Sequence, residues 1–163
     1  SKITNISYDY YFPTISNAKR EAVVAAYNIT HSHKIACPPI QKTMATKLFG
    51  KYLASSGLTA EEALFNGYQI RKIHKHYQKL AHYGALQEKE LQIQVLCNKE
   101  NGQLLGVQLF SDSRQAVELI NQFSTFISDH RTLKDLTQVD NFFSPDLSFL
   151  PQIFLDLFME AKE

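Results

Sequence analysis

TAEEALFNGYQIRKIHKHYQKLAHYGAL, residues 59–86, decides how the rest of the chain is read. Thr59-Ala60-Glu61-Glu62 forms a capping box, in which the Thr and Glu side chains each satisfy an orphan amide at a helix start. Asn66-Gly67 interrupts that helix after about two turns. Wound as a second helix at about 100° per residue, Tyr68–Tyr83 puts Ile70, Ile73, Tyr77, Leu80 and Ala81 on one side. Arg71, Lys72, Lys75, Lys79 and His82 fall on the other. Those sixteen positions hold four Lys/Arg, three His and no acid, and Gly84 ends the run. A helix with an apolar stripe and an unbroken basic face suits an anionic partner, above all a nucleic-acid backbone.

Outward from this stretch the pattern predicts helices, then a hairpin, then helices. Residues 3–13 are aromatic and β-branched, suited to a short strand or an arm. Asn17 to about Thr30 repeats apolar residues at helical spacing, with Ser16 or Asn17 as cap. Pro39 opens a helix running to about Ser55, with Ile40, Met44, Leu48 and Tyr52 inward and Gly57 as its stop. After Leu86 the period changes to two: Leu91, Ile93, Val95 and Cys97 alternate with Gln92, Gln94 and Leu96. Leu105, Val107 and Leu109 alternate again, and Asn101-Gly102 is a favoured turn, so residues 90–110 read as a β-hairpin. Ser113 to about Asp129 and Pro151 to residue 161 read as amphipathic helices.

Composition bounds the class. The chain has 163 residues, 44% hydrophobic and 20% charged, enough for one domain with a real core. It contains no apolar run of membrane-spanning length and no signal-peptide core at its start. Two cysteines, Cys37 and Cys97, make a disulfide framework a poor fit and favour a cytoplasmic or otherwise intracellular setting. The net charge of +1 hides an asymmetry: residues 1–111 carry +6 and residues 112–163 carry −5. The two parts face different partners, or face each other.

Capped helix, turn, helix and two-stranded hairpin is the order of the winged helix-turn-helix, which the chain resembles over residues 40–110. Thr59-Ala-Glu-Glu looks like the opening of that fold's second helix. Ile73, Tyr77 and Leu80, then Gly84 and Leu86, look like the core of its recognition helix and the start of its wing. One helix before and two after are similar to the layout of MarR-type regulators, whose flanking helices build a dimer interface. The hairpin tip NKENGQ, residues 98–103, lacks the Asp-x-Arg pair of a MarR-type wing. The resemblance implies an α+β, mainly α fold: a helical domain over residues 1–111, and C-terminal helices over 112–163 forming a dimer or partner surface.

The function that follows is a non-enzymatic DNA-binding transcriptional regulator, with helix 68–83 in the major groove. Gln69, Arg71, Lys72 and Lys75 would meet bases, and Lys79 and His82 phosphates. The alternative is an adaptor, an independent domain or a part of a larger effector, whose basic helix binds an acidic protein or an anionic membrane lipid. Phosphate-binding glycine loops, G-x-S-x-G and H-E-x-x-H are absent from the sequence, so no catalytic residue or cofactor is expected. His31 and His33, with Cys37 nearby, and His74 with His76 suggest a metal. On a helix, however, residues two apart point about 160° from one another, and none is assigned. Cys97 reads as core. Phe142, Phe143, Phe149, Phe154 and Phe158 either finish the core or face a second copy or a partner.

Overall fold

The computed structural model describes residues 2–6, 9–78, 90–142 and 150–162. Its centre is a five-stranded antiparallel sheet. The strands are β1 (Met44–Leu48), β2 (Lys51–Gly57), β3 (Ile70–Tyr77), β4 (Leu91–Asn98) and β5 (Leu104–Ser111), in the spatial order β1-β2-β5-β4-β3. Helix α1 (Ile15–Thr30) precedes the sheet and α2 (Ala60–Phe65) sits between β2 and β3. After the sheet come α3 (Arg114–Glu118), α4 (Ile120–Ser128), α5 (Leu133–Leu136) and α6 (Leu150–Glu160). Among the described residues no helix is long and apolar enough to cross a membrane.

Side-chain alternation decides which sheet face is covered. Leu91, Ile93, Val95 and Cys97 of β4, with Ala54, Ile73, Val107 and Leu109, are buried against Phe123, Ile127, Leu136, Phe154 and Leu157 of the helical layer. Phe154 meets Phe123 and Phe126 edge to face, with ring centroids 5.6 and 5.9 Å apart. A second, smaller cluster lies on the other face at one end. There Leu96 and Leu105 meet Leu58, Ala63 and, from the N-terminal arm and its neighbour, Ile3 and Ile40. The rest of that face carries Gln92, Gln94 and Gln108 and is open.

The two clusters are joined where β2 leaves the sheet. Gly57 (φ +80°) pairs with Gly106 across β2 and β5, and the Leu58 amide donates to the Leu105 carbonyl at 2.8 Å. A Cβ on Gly106 would lie 2.0 Å from the Leu58 carbonyl oxygen, and one on Gly57 would lie 2.2 Å from that of Leu105. Neither backbone can yield without breaking the pairing.

The hairpin over 90–110 is present as β4–β5, with Gly102 at positive φ in its turn. The capping box is also present: Thr59 Oγ1 accepts from the Glu62 amide, and Glu62 Oε2 accepts from the Thr59 amide at 2.8 Å. Helix 113–129 is formed as α3 and α4, which meet at Leu119.

Two expected helices are strands, and this overturns the mainly helical, winged-helix and MarR-like reading. Residues 44–57 form the β1–β2 hairpin, turning at Phe49-Gly50, both at positive φ, the geometry of a two-residue hairpin turn. Residues 70–77 form edge strand β3, paired to β4 throughout. The misreading has a simple cause. A spacing of four, as in Met44-Leu48-Tyr52 or Ile73-Tyr77, keeps side chains on one face of a strand and of a helix alike. Ile70, three before Ile73, lies on the opposite sheet face and packs on the smaller cluster. Leu80 and Ala81 fall outside the described residues.

Gly106→Ala should cost at least about 3 kcal/mol, since its Cβ meets backbone, whereas Gly50→Ala, with open space around it, should cost about 1–2 kcal/mol for its positive φ alone. Urea unfolding of the two variants checks this. Glu62 supplies a pH test. Burial raises its carboxyl, but Lys42 at 2.5 Å and the Thr59 amide and hydroxyl outweigh it and hold the group below its ordinary 4.5. Its contribution is therefore present above pH 4.5 and lost as pH falls through the depressed value. Glu62→Gln should destabilise by about 1 kcal/mol at pH 7, with the gap to the parent closing on acidification below 4.5.

Candidate functional site

The helical layer ends in α6, whose two sides differ. Ile153, Phe154 and Leu157 are buried against the sheet. Polar contacts at the sheet margin fix the helix there. The Tyr77 phenol on β3 donates to Asp156 Oδ2 at 3.0 Å, Gln152 Nε2 donates to Asp156 Oδ1 at 2.6 Å, and Lys75 pairs with Glu160. Burial first, then the Asp156 and Glu160 carboxylates, raises the Tyr77 phenol far above its usual range, so it stays a donor.

The outer side of α6 shows Leu155, 48% exposed, and Met159, 62% exposed. Four residues apart on a helix, they form one apolar stripe. The segment leading toward α6 adds exposed Val139 and Phe142. It is tied to α4 by Gln122 Nε2 donating to Asn141 Oδ1 at 3.1 Å. Exposed apolar side chains grouped on one side of a helix are a feature that contact surfaces share.

The opposite sheet face is polar. Gln92, Gln94, Gln108, Ser55 and His74, with Leu53 and Phe110, line a shallow depression of about 400 Å³. At its margin Glu90 collects His76 Nε2 at 2.9 Å, Gln92 Nε2 at 3.1 Å and Lys51 Nζ at 3.3 Å. Gln92, then His76 and Lys51, lower the Glu90 carboxyl.

The six residues expected to bind an anion are divided by the strand. Gln69 precedes β3, and its carbonyl accepts from the Lys99 amide at 2.8 Å. Arg71 and Lys75 lie on the helix-facing side, Arg71 near Cys97 and Lys75 against Glu160. Lys72 lies on the open face, opposite Leu96 in the ladder. Lys79 and His82 fall outside the described residues, as do Phe143 and Phe149. Cys97 is buried, which pushes its thiol up to about 12 against a smaller opposing effect of Arg71, so it is an inert core group. Tyr77, Asp156, Leu155 and Met159 were missed as site residues. The signal for the last two was a second four-residue apolar spacing on α6, outside the Ile153-Phe154-Leu157 stripe.

The sequence of residues 44–150 matches the family described as pyridine nucleotide-disulphide oxidoreductase, dimerisation domain. The chain belongs to that family. The match opens at the first residue of β1 and spans the whole sheet with α2–α5. An NADH oxidase of Streptococcus pneumoniae is 28% identical over 135 residues, 83% of this chain and 29% of that protein. A Staphylococcus aureus protein of 19.7 kDa in a mercuric resistance operon is 30% identical over 129 residues, covering 78% of this chain and 69% of that one. A solved pyridine nucleotide-disulfide family oxidoreductase from Enterococcus faecalis V583 superposes with a TM-score of 0.80 at 28% identity, over 94% of this chain and 36% of that one. The chain thus spans about a third or less of the length of the oxidoreductases it matches.

Membership of this dimerisation-domain family overturns the DNA-binding regulator, its duplex-DNA partner and the adaptor alternative. The physical reason is already in the fold: the basic face needed a helix to enter a groove, and residues 70–77 are a strand. The expectation of a protein unconnected with enzymes is overturned too, because relatives sharing this domain are NADH oxidases.

Tyr77→Phe should remove the Asp156 hydrogen bond and cost about 1 kcal/mol. Hydrogen exchange should then speed up in α6 more than in β4.

Proposed function

We propose that the dimerisation domain brings two copies of an oxidoreductase-type polypeptide together through its helical layer, α3 to α6, with Leu155 and Met159 at the contact. The observation that carries this is the outward apolar stripe on α6, in a chain whose family is described as a dimerisation domain. A twofold contact is isologous, so each side chain is used twice. Leu155 and Met159 are 48% and 62% exposed, so completing the burial of each contributes about half of the roughly 1.5–3 kcal/mol of a full burial.

The redox chemistry of the longer relatives belongs, on this reading, to parts of those proteins beyond the length matched here. Six glycines in the chain form no dinucleotide-binding loop, and Cys97 is buried where no substrate reaches it. The chain's association would serve an NADH-oxidase type of enzyme by fixing the spacing of two subunits. Exposed Cys37 and buried Cys97, both unpaired thiols, fit an intracellular setting.

Sedimentation equilibrium of the full chain should give twice the monomer mass. Leu155→Glu combined with Met159→Glu should convert it to a folded monomer, raising the dissociation constant at least a hundredfold. A parent that stays monomeric throughout, or a double variant that remains dimeric, overturns the reading.

A further inference from the structure

We propose that His74 and His76 form a two-point chelate for a divalent transition-metal ion, copper or zinc, on the open face of β3. The helical reading set their rings about 160° apart by the same geometry that spread the basic face. The strand reverses this. In β3 they pair with Gln94 and Gln92 respectively, so both side chains leave the sheet on its uncovered side. Residues two apart on a strand lie about 6.6 Å from each other along the chain. Two imidazoles leaning together across that gap can each place a nitrogen about 2.0–2.1 Å from one ion.

The surroundings leave both imidazoles accessible. Both histidines are exposed, and the cross-strand neighbours Gln92 and Gln94 are uncharged amides. Glu90 holds His76 Nε2 at 2.9 Å, which leaves Nδ1 for the ion. A carboxylate behind a ligating imidazole fixes its tautomer and raises its basicity. Among the described residues the cations on this face are Lys51, which is paired to Glu90 at 3.3 Å, and Lys72, one strand period before His74. Among the described residues no three His, Cys, Asp or Glu side chains converge on one point. Two described ligands make this an exposed chelate with open positions, weaker than a closed four-ligand structural site. Imidazole ligation and the Irving–Williams order rank copper above zinc. The inference is independent of dimerisation through α6, since β3's open face lies across the sheet from the helical layer.

The test uses the full chain, stripped with a chelator and titrated calorimetrically with zinc or copper salt alone, and Cu(II) paramagnetic resonance to count ligating nitrogens. One ion per chain with two imidazole nitrogens is expected. Either His74→Ala or His76→Ala should weaken binding at least tenfold. Binding should also weaken on acidification, because protons compete with the metal for the imidazole nitrogens. His31→Ala with His33→Ala, the other H-x-H pair, should leave it unchanged. Absence of binding up to millimolar metal overturns the proposal, as does undiminished binding in both single variants or loss confined to the His31/His33 variant. Circular dichroism of each variant confirms that the sheet is intact.

Discussion

The structure turns on a backbone crossing too close for any side chain. Gly57 and Gly106 face each other across β2 and β5, and a Cβ on either would sit about 2 Å from a carbonyl oxygen of the other strand's neighbour. Through this gap β2 swings out of the sheet so that Leu58 can drop into the smaller cluster with Leu96 and Leu105. The same swing places Thr59 to start α2, whose Glu62 reaches back to Lys42 ahead of β1. A sheet with helices on one face thereby acquires a partial cover on the other. The cover stops at one end, and the glutamine-lined face beyond it stays open.

Legibility in the sequence followed from how many faces each strand buries. β4 and β5 are central, with apolar residues alternating against glutamines, and their hairpin could be read from Leu91-Ile93-Val95 and Asn101-Gly102. β1 and β3 are edges. Charged residues fall on both sides of β3, as edge strands require to resist pairing with other chains. Arg71 and Lys75 occupy the helix-facing side between and beside Ile73 and Tyr77. That mixture erased the period of two and left a spacing of four that a helix also satisfies. The Phe49-Gly50 turn was legible in principle, because a glycine mid-way through a proposed helix costs about 1 kcal/mol. The exposed stripe on α6 was harder to read. Leu155 and Met159 are ordinary helix residues in sequence, and only the packing of Ile153, Phe154 and Leu157 shows that they point away.

The basic first part of the chain meets the acidic last part at the margin between β3 and α6. Lys75 pairs there with Glu160, and beside it the neutral Tyr77 phenol donates to Asp156. Such pairs add little when solvent-exposed, and the buried Phe154 and Leu157 supply most of the hold. The polar contacts act with the apolar ones to fix the rotation of α6 about its own axis. With Asp156 and Glu160 directed at β3, Leu155 and Met159 must point outward. A basic strand that looked like a surface for nucleic acid therefore serves, in part, to orient the helix that carries the exposed apolar stripe. The orientation of that stripe relative to the sheet is set within one subunit, before any second copy arrives, so association through it would meet a surface already ordered and lose little further side-chain freedom.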